Sequence, residues 1–284
     1  MRLIKIALLC LVALTAMLSI NTYAAPKSEL WEYWLQHDPK SKTVISHNPW
    51  DQFLSTYVET NNNSNTAVRG INTLNYARVT TADKQTLKNY IATLTALPIS
   101  HYNRNQQRAY WINLYNALTV DVVLDHYPVK SIMDIKLSGL FTRGPWQEKL
   151  IRVEQHPLSL NDIEHRILRP IWNDPRTHYA VNCASLGCPN LSTQAYTAEN
   201  MEQQLEYAAS AFINHPRGVE VKDGKLVLSS IYNWFKEDFG DSDINIIKHL
   251  QQYANEPLKQ KLSTIERIFD DQYNWKLNEA PRSE

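Results

Sequence analysis

Tyr110-Trp111-Ile112-Asn113-Leu114-Tyr115-Asn116-Ala117-Leu118-Thr119-Val120-Asp121-Val122-Val123-Leu124 is apolar on nearly every side when wound as a helix at ~100° per residue. Ile112, Val120, Val123 and Leu124 flank the two asparagines, while Trp111, Leu118 and Val122 cover another side. A helix apolar all round sits inside a core rather than on its surface. The pattern runs from about Asn105 to His126 and stops at Pro128. Asn113 and Asn116 lie in that apolar surround, where an unpaired amide costs about 1–3 kcal/mol. Either they tie neighbouring loops to the helix, or one lies beside an active site, orienting a base or donating to an oxyanion.

Working outward from this helix, Asn48-Pro49 reads as an N-cap followed by Pro at the first helical position. Trp50, Phe53, Leu54, Tyr57 and Val58 keep helical spacing behind it, and Leu87, Tyr90, Ile91, Leu94 and Leu97 mark another helix. Between them Asn61-Asn62-Asn63-Ser64-Asn65 reads as a solvated loop. Downstream, Phe141–Pro145 reads as a loop, followed by Lys149–Val153 and a turn near Gln155-His156-Pro157. Ser159 with Asp162 resembles a capping arrangement that opens a short helix ending at Arg169-Pro170. His178–Cys183 is expected to be a short strand, and Thr197 to cap a helix through about Phe212. Val219–Leu228 is a hairpin with Asp223-Gly224 in its turn. Two further helical patterns and a strand near Tyr273–Leu277 complete the chain. Helices dominate and strands come late, so the fold class expected is α+β: a helix-rich single domain with a small, mostly antiparallel sheet formed by the later half. No Pro/Gly/Ser-rich linker divides residues 25–284, and no internal repeat is present.

The N-terminus reads as a secretory signal over residues 1–24, with Arg2 and Lys5 before an apolar stretch from Ala7 to Ile20. That stretch is shorter than the ~20 apolar residues a membrane span needs. Cys10 follows Leu8 and Leu9, which is not the setting of a lipoprotein cysteine. Cleavage after Ala24 removes Arg2 and Lys5, so 29 basic residues become 27 against 29 acidic ones. A chain so balanced offers no basic face for nucleic acid or an anionic membrane. The expected location is periplasmic or secreted, with no integral membrane segment after cleavage. Cleavage also removes Cys10, which leaves Cys183 and Cys188 together in an oxidising compartment.

The short helix after Leu160 carries Ile163, Ile167 and Leu168 on one arc, and Glu164 falls inside that arc. His165 and Arg169 fall on the opposite side. A carboxylate among apolar side chains needs a cationic or hydrogen-bonding partner, of which Arg176 is one candidate. Such carboxylates gather at functional sites. The most distinctive stretch is Asp174-Pro175-Arg176-Thr177-His178-Tyr179-Ala180-Val181-Asn182-Cys183-Ala184-Ser185-Leu186-Gly187-Cys188-Pro189, which brings a histidine, a thiol and several backbone donors to one junction. With Tyr110–Leu118, Ser159–His165, Ile167–Pro170, Trp234, Asp238-Phe239 and Tyr273–Asn278, it resembles the family called Domain of Unknown Function 547. The likeness spans about residues 100–278 and implies an α+β domain, often exported in bacteria, without a settled activity. The family's usual Asp after the last Tyr is replaced here by Asn274.

Two accounts of Cys183 compete. In the first it is the nucleophile of a thiol-dependent hydrolase or acyl-transferase, with His178 or His165 as base and Glu164, Asn113 or Asn116 orienting that base. Residues five apart face opposite sides of an uninterrupted strand, so His178 and Cys183 meet only where the strand ends. In the second, Cys183 and Cys188 form a disulfide around Gly187, and the domain is a non-catalytic binding or structural module of the cell envelope. A zinc site on His178, Cys183 and Cys188 lacks the close cysteine pairing and a fourth ligand. The spacing also departs from the C-x-x-C of dithiol oxidoreductases. No phosphate loop or dinucleotide fingerprint is present, so no cofactor and no metal is expected. The expected partner is a small molecule or a peptide, and no heptad pattern points to an oligomer.

Overall fold

The computed structural model describes residues 26–62, 66–137 and 143–281. The expected signal segment, most of the asparagine-rich loop and the first two residues of the expected Phe141–Pro145 loop lie outside the described residues.

Helix α1 (Asn48–Tyr57) opens with Pro49 in its first turn, although its side-chain cap is absent. It leads into β1 (Val58–Glu59), which pairs antiparallel with β2 (Thr73–Leu74). Helix α2 (Thr81–Thr95) is capped by Thr80, whose side chain accepts from the Asp83 amide. The central helix is α3 (Arg104–His126); the Asn103 side chain accepts from the amides of Asn105 and Gln106 and fixes its start. From Gln106 to Val120 every residue is buried, as the all-round apolar pattern requires. α2 packs on one side of α3, and a helical segment at Asp162–Leu168 packs on another.

β3 (Ile151–Val153) and β4 (His156–Leu158) form a hairpin whose two turn residues, Glu154 and Gln155, both have positive φ. The turn therefore falls one residue earlier than the proline suggested. Ser159 and Asp162 then cap each other: the Ser159 amide donates to Asp162 Oδ2 at 2.8 Å and the Asp162 amide to Ser159 Oγ at 3.1 Å. The segment they open, Asp162–Leu168, is a π-helix that continues into α4 (Arg169–Trp172). Pro170 stands at i+5 from His165 and i+4 from Arg166 and has no amide to donate, so carbonyls near the end of the segment lack helical partners. Two of these, on His165 and Arg166, accept the amides of Glu29 at 2.9 Å and Trp31 at 3.0 Å. The N-terminal stretch thus docks where the helix is widened.

The expected strand at His178–Cys183 is instead a helical turn, α5 (Thr177–Ala180), followed by a loop. Asp174-Pro175 explains the difference. Proline has no amide to leave unsatisfied at a helix start, and the Asp174 carboxylate accepts the Arg176 amide at 2.9 Å. Helix α6 (Met201–Ile213) follows, preceded by a reciprocal turn in which Thr197 and Asn200 bond each other.

Strands β5 (Val219–Lys222) and β6 (Lys225–Ser229) form the expected hairpin, with Asp223 and Gly224 at positive φ. After α7 (Ile231–Trp234), α8 (Asp243–Tyr253) and α9 (Glu256–Leu262), strand β7 (Asp270–Gln272) adds to β6 in parallel. The last strand therefore falls just before the expected Tyr273–Leu277, which contributes a single bridge, Ser185 to Leu277. The architecture is α+β, with three small sheets that are mostly antiparallel. Two hydrophobic clusters result. One surrounds α3; the other joins α6, α8 and α9 to the three-stranded sheet through Phe212, Leu228, Tyr232 and Leu250. Among the described residues no helix is long and apolar enough to cross a membrane.

Candidate functional site at the seam of the two clusters

The disulfide loop is assembled from three directions. Asn116 on α3 donates to the Ala180 carbonyl at 2.9 Å and accepts the Asn182 amide at 2.8 Å, which fixes where the chain leaves α5. Asn182 in turn accepts the Ala184 amide and donates to the Pro189 carbonyl at 2.7 Å, closing the loop across its neck. The C-terminal stretch lies along the far side: the amides of Leu186 and Gly187 donate to the carbonyls of Lys276 and Asn274, each at 2.8 Å. A Cβ on Gly187 would stand 2.8 Å from the Asn274 nitrogen, so only glycine admits this approach. With the loop so shaped, the Cα atoms of Cys183 and Cys188 are 6.1 Å apart and the two sulfurs are bonded. The Tyr273 hydroxyl rests on the bridge, 3.0 Å from Cys183 Sγ and 3.2 Å from Cys188 Sγ, and also meets Ser185 Oγ at 3.0 Å.

Beside the bridge is a cavity of about 70 Å³ at the seam between the clusters. Tyr115 and Val181 reach it from the α3 side, and Trp234 and Phe235 from the other; Trp146, Trp275 and Cys183 complete much of the wall. Trp234, Tyr273 and Trp275 form a ladder of rings with centroids 4.6–4.7 Å apart along the chain of contacts. Glu164, His165 and His178 supply its polar face. The volume is well below the ~300–1,000 Å³ of pockets that enclose whole drug-sized ligands.

Glu164 is buried, as its place in the apolar arc implied, but Arg176 is not its partner. Arg176 pairs with Asp174, Glu202 and Glu206. The nearest basic groups to Glu164 among the described residues are imidazoles: His178 Nδ1 at 3.7 Å and His165 Nε2 at 3.9 Å. Its carboxylate makes no hydrogen bond shorter than these contacts among the described residues, and its side chain is 9% exposed, toward the cavity. Burial raises its pKa, but His165, His178 and Arg169 outweigh that and hold it down to about 2. An ionised carboxylate thus faces the cavity with acceptor capacity unspent.

His165 does not point away from the core. The wider π-helical turn advances successive side chains by a smaller angle than an α-helix, so Glu164 and His165 both stay on the buried side. Arg169 Nη1 lies 3.1 Å from His165 Nδ1. A guanidinium only donates, so Nδ1 accepts and the ring proton sits on Nε2, facing Glu164. Burial lowers the pKa of His165 to about 4, against the pull of Glu164, so the ring is neutral at pH 7.

His178 is held differently. Burial depresses its pKa, but Asp238 and Glu164 overcome that and the net shift is upward. Its Nε2 lies 2.6 Å from Asp238 Oδ2, and Phe235 stacks on the ring with centroids 4.3 Å apart. Asp238 Oδ2 also accepts from Arg169 Nε at 2.5 Å, while Arg169 Nη2 reaches Glu237 Oε1 at 2.8 Å. Burial raises the pKa of Asp238, yet His178 and Arg169 bring it down to about 2. The result is a chain of alternating charge, buried except at Asp238: Glu164, His178, Asp238, Arg169.

Four of the expected site residues, Cys183, His178, Glu164 and His165, border one cavity. The two asparagines do not. Asn113 bonds both backbone groups of Tyr196, at 2.7 Å and 3.0 Å, and Asn116 holds the neck of the cysteine loop. Asp238, Arg169 and Tyr273 were missed as functional groups. The sequence signals for them were the Asp238-Phe239 pair, the basic residue one turn after His165 and the Tyr273–Asn278 stretch. Among the described residues no three His, Cys, Asp or Glu side chains are grouped as a metal site, and the bonded sulfurs of Cys183 and Cys188 offer no thiolate for one.

No curated protein and no solved structure matches the chain. Residues 99–213, which carry Glu164, His165, His178 and both cysteines, match the model of a family described as protein of unknown function, DUF547. Asp238, the wall residues Trp234 and Trp275, and Tyr273 behind the bridge stand beyond the matched stretch. Over residues 99–213 the chain is therefore similar to the DUF547 family.

Proposed function

We propose that the protein is an exported, disulfide-closed binding module of the cell envelope, which receives a small hydrogen-bond donor in the cavity over Glu164. The observation that carries this reading is the bond between Cys183 and Cys188 in the cavity wall. A bonded sulfur is no nucleophile. The histidines support the same side of the choice. Both ring nitrogens of His178 face carboxylates, and those of His165 face Arg169 and Glu164, so neither ring turns a free nitrogen toward Sγ. What remains is an ionised, under-coordinated carboxylate framed by tryptophans, the arrangement that holds an alcohol or ammonium group by charge-assisted hydrogen bonding. The apolar N-terminal stretch supports export, and an oxidising compartment is where such a bridge persists.

A second reading keeps the thiol chemistry: reduction of the bridge would free Cys183 in the same cavity as Glu164 and His178. Its observation is that shared wall. Titration of small alcohols and alkylammonium ions, followed by tryptophan fluorescence, separates the two. The binding reading expects saturable quenching from the oxidised protein, weakened about tenfold by Glu164→Gln, a loss of about 1.4 kcal/mol. Absence of any response when oxidised, with turnover of an activated acyl ester only after reduction and alkylation-sensitive, would favour the thiol enzyme instead.

A further inference from the structure

A second cavity lies away from the cysteine loop, between α6 and the turn at Asn190–Gln194, and at about 290 Å³ it is much the larger. In a chain with 20% charged residues, its lining contains no carboxylate, ammonium or guanidinium among the described residues. Amides and hydroxyls make up most of it, together with Tyr207, Ala208 and Ala211 of α6. The cavity over Glu164 and a third beside β6 and β7 both include charged side chains.

These polar groups divide into two sets. One forms a fixed frame. Ser192 Oγ donates to Gln204 Oε1 at 2.8 Å, and Gln204 Nε2 donates to the Ala195 carbonyl at 2.9 Å. Asn190 Oδ1 accepts from the Asn72 amide at 2.8 Å and from Arg217 Nη2 at 2.7 Å. The other set is unspent: the side chains of Thr60, Thr193, Gln194 and Gln203 make no hydrogen bond to a described residue while lining the same cavity. Tyr207 is 70% exposed, and its small neighbours on α6 leave its ring open as a one-sided platform.

We propose that this cleft binds a neutral saccharide. Hydroxyl groups both donate and accept, and primary amides and alcohols are the side chains that answer both roles without imposing a charge. An open aromatic face takes the C–H face of a pyranose ring, while the fixed frame limits the ordering cost of binding. A phosphorylated or acidic sugar finds no cation in the lining, and an amine finds no anion. The site is independent of the cavity over Glu164.

The test is saturation-transfer NMR on the full chain with glucose, galactose, mannose, N-acetylglucosamine, maltose, cellobiose and chitobiose, with calorimetry for the best binder. At least one of these binds with a dissociation constant tighter than about 10 mM. Tyr207→Ala and Gln203→Ala each weaken it by about tenfold; both side chains are exposed, so neither change disturbs the fold. Glucuronate and glucose 6-phosphate bind more weakly than the neutral parent. The proposal is overturned if none of the panel binds tighter than about 10 mM. It is equally overturned if both variants bind like the parent, or if the charged sugars bind as well as the neutral ones.

Discussion

Replacing Asp238 by asparagine keeps the shape of the side chain and removes the charge that joins His178 to Arg169. The Asp238 carboxylate takes a 2.6 Å contact from His178 Nε2 and a 2.5 Å bond from Arg169 Nε. Both cationic side chains are only 2% exposed, so neither has water to fall back on. Breaking a buried pair from one side costs about 3–5 kcal/mol. Glu237 still holds Arg169 and Glu164 still faces His178, so the lower end, about 3 kcal/mol, applies. For a chain of this size that lowers Tm by roughly 6–12 °C.

The pH dependence gives the sharper check. His178 has a raised pKa in the fold, so its contribution is full below the unfolded value of about 6.5 and fades as pH rises through the folded value. The deficit of the Asp238→Asn variant therefore shrinks at alkaline pH, where His178 is neutral and only the Arg169 contact is lost. Urea unfolding at several pH values measures the deficit, and NMR titration of the imidazole measures the pKa, which should move down in the variant. A stability loss under about 1 kcal/mol at every pH, with an unmoved His178 titration, would refute the charge-chain account.

Other perturbations follow from the same geometry. Asn113→Ala leaves both backbone groups of Tyr196 without their partner, costing about 2–4 kcal/mol in chemical denaturation. Gly187→Ala drives a methyl into the Asn274 backbone, costing about 1–3 kcal/mol, and hydrogen exchange should quicken at residues 274–278. Acid should destabilise in two stages. His165, held neutral to about pH 4, weakens the fold as pH falls below its unfolded value of about 6.5. Glu164 and Asp238 add their loss as pH falls from about 4 toward 2. His165→Gln should flatten the first stage of the urea-midpoint profile and leave the second.

Much of this arrangement is written locally. The all-round apolar run at Tyr110–Leu124 becomes the central helix because no face of it tolerates water. Asp223-Gly224 makes its hairpin because both residues accept positive φ. The errors have equally physical causes. The Tyr179-Ala180-Val181 run looks extended, yet Asp174-Pro175 starts a helical turn before it. The positions of Glu164 and His165 depend on a π-helix that the amides of Glu29 and Trp31 complete from far away in sequence. No periodicity at ~100° per residue contains that information. Asp238 and Tyr273 meet the site only through tertiary packing, 60 and 90 residues from His178 and Cys183 respectively.

The central claim is that the sulfur of Cys183 is bonded rather than free. Protein purified without reductant is alkylated native and denatured, digested and weighed. Neither Cys183 nor Cys188 should be alkylated in either state, the mass should fall two hydrogens below that of the reduced chain, and a peptide should link Cys183 to Cys188. Stoichiometric alkylation of Cys183 in the native protein would contradict it.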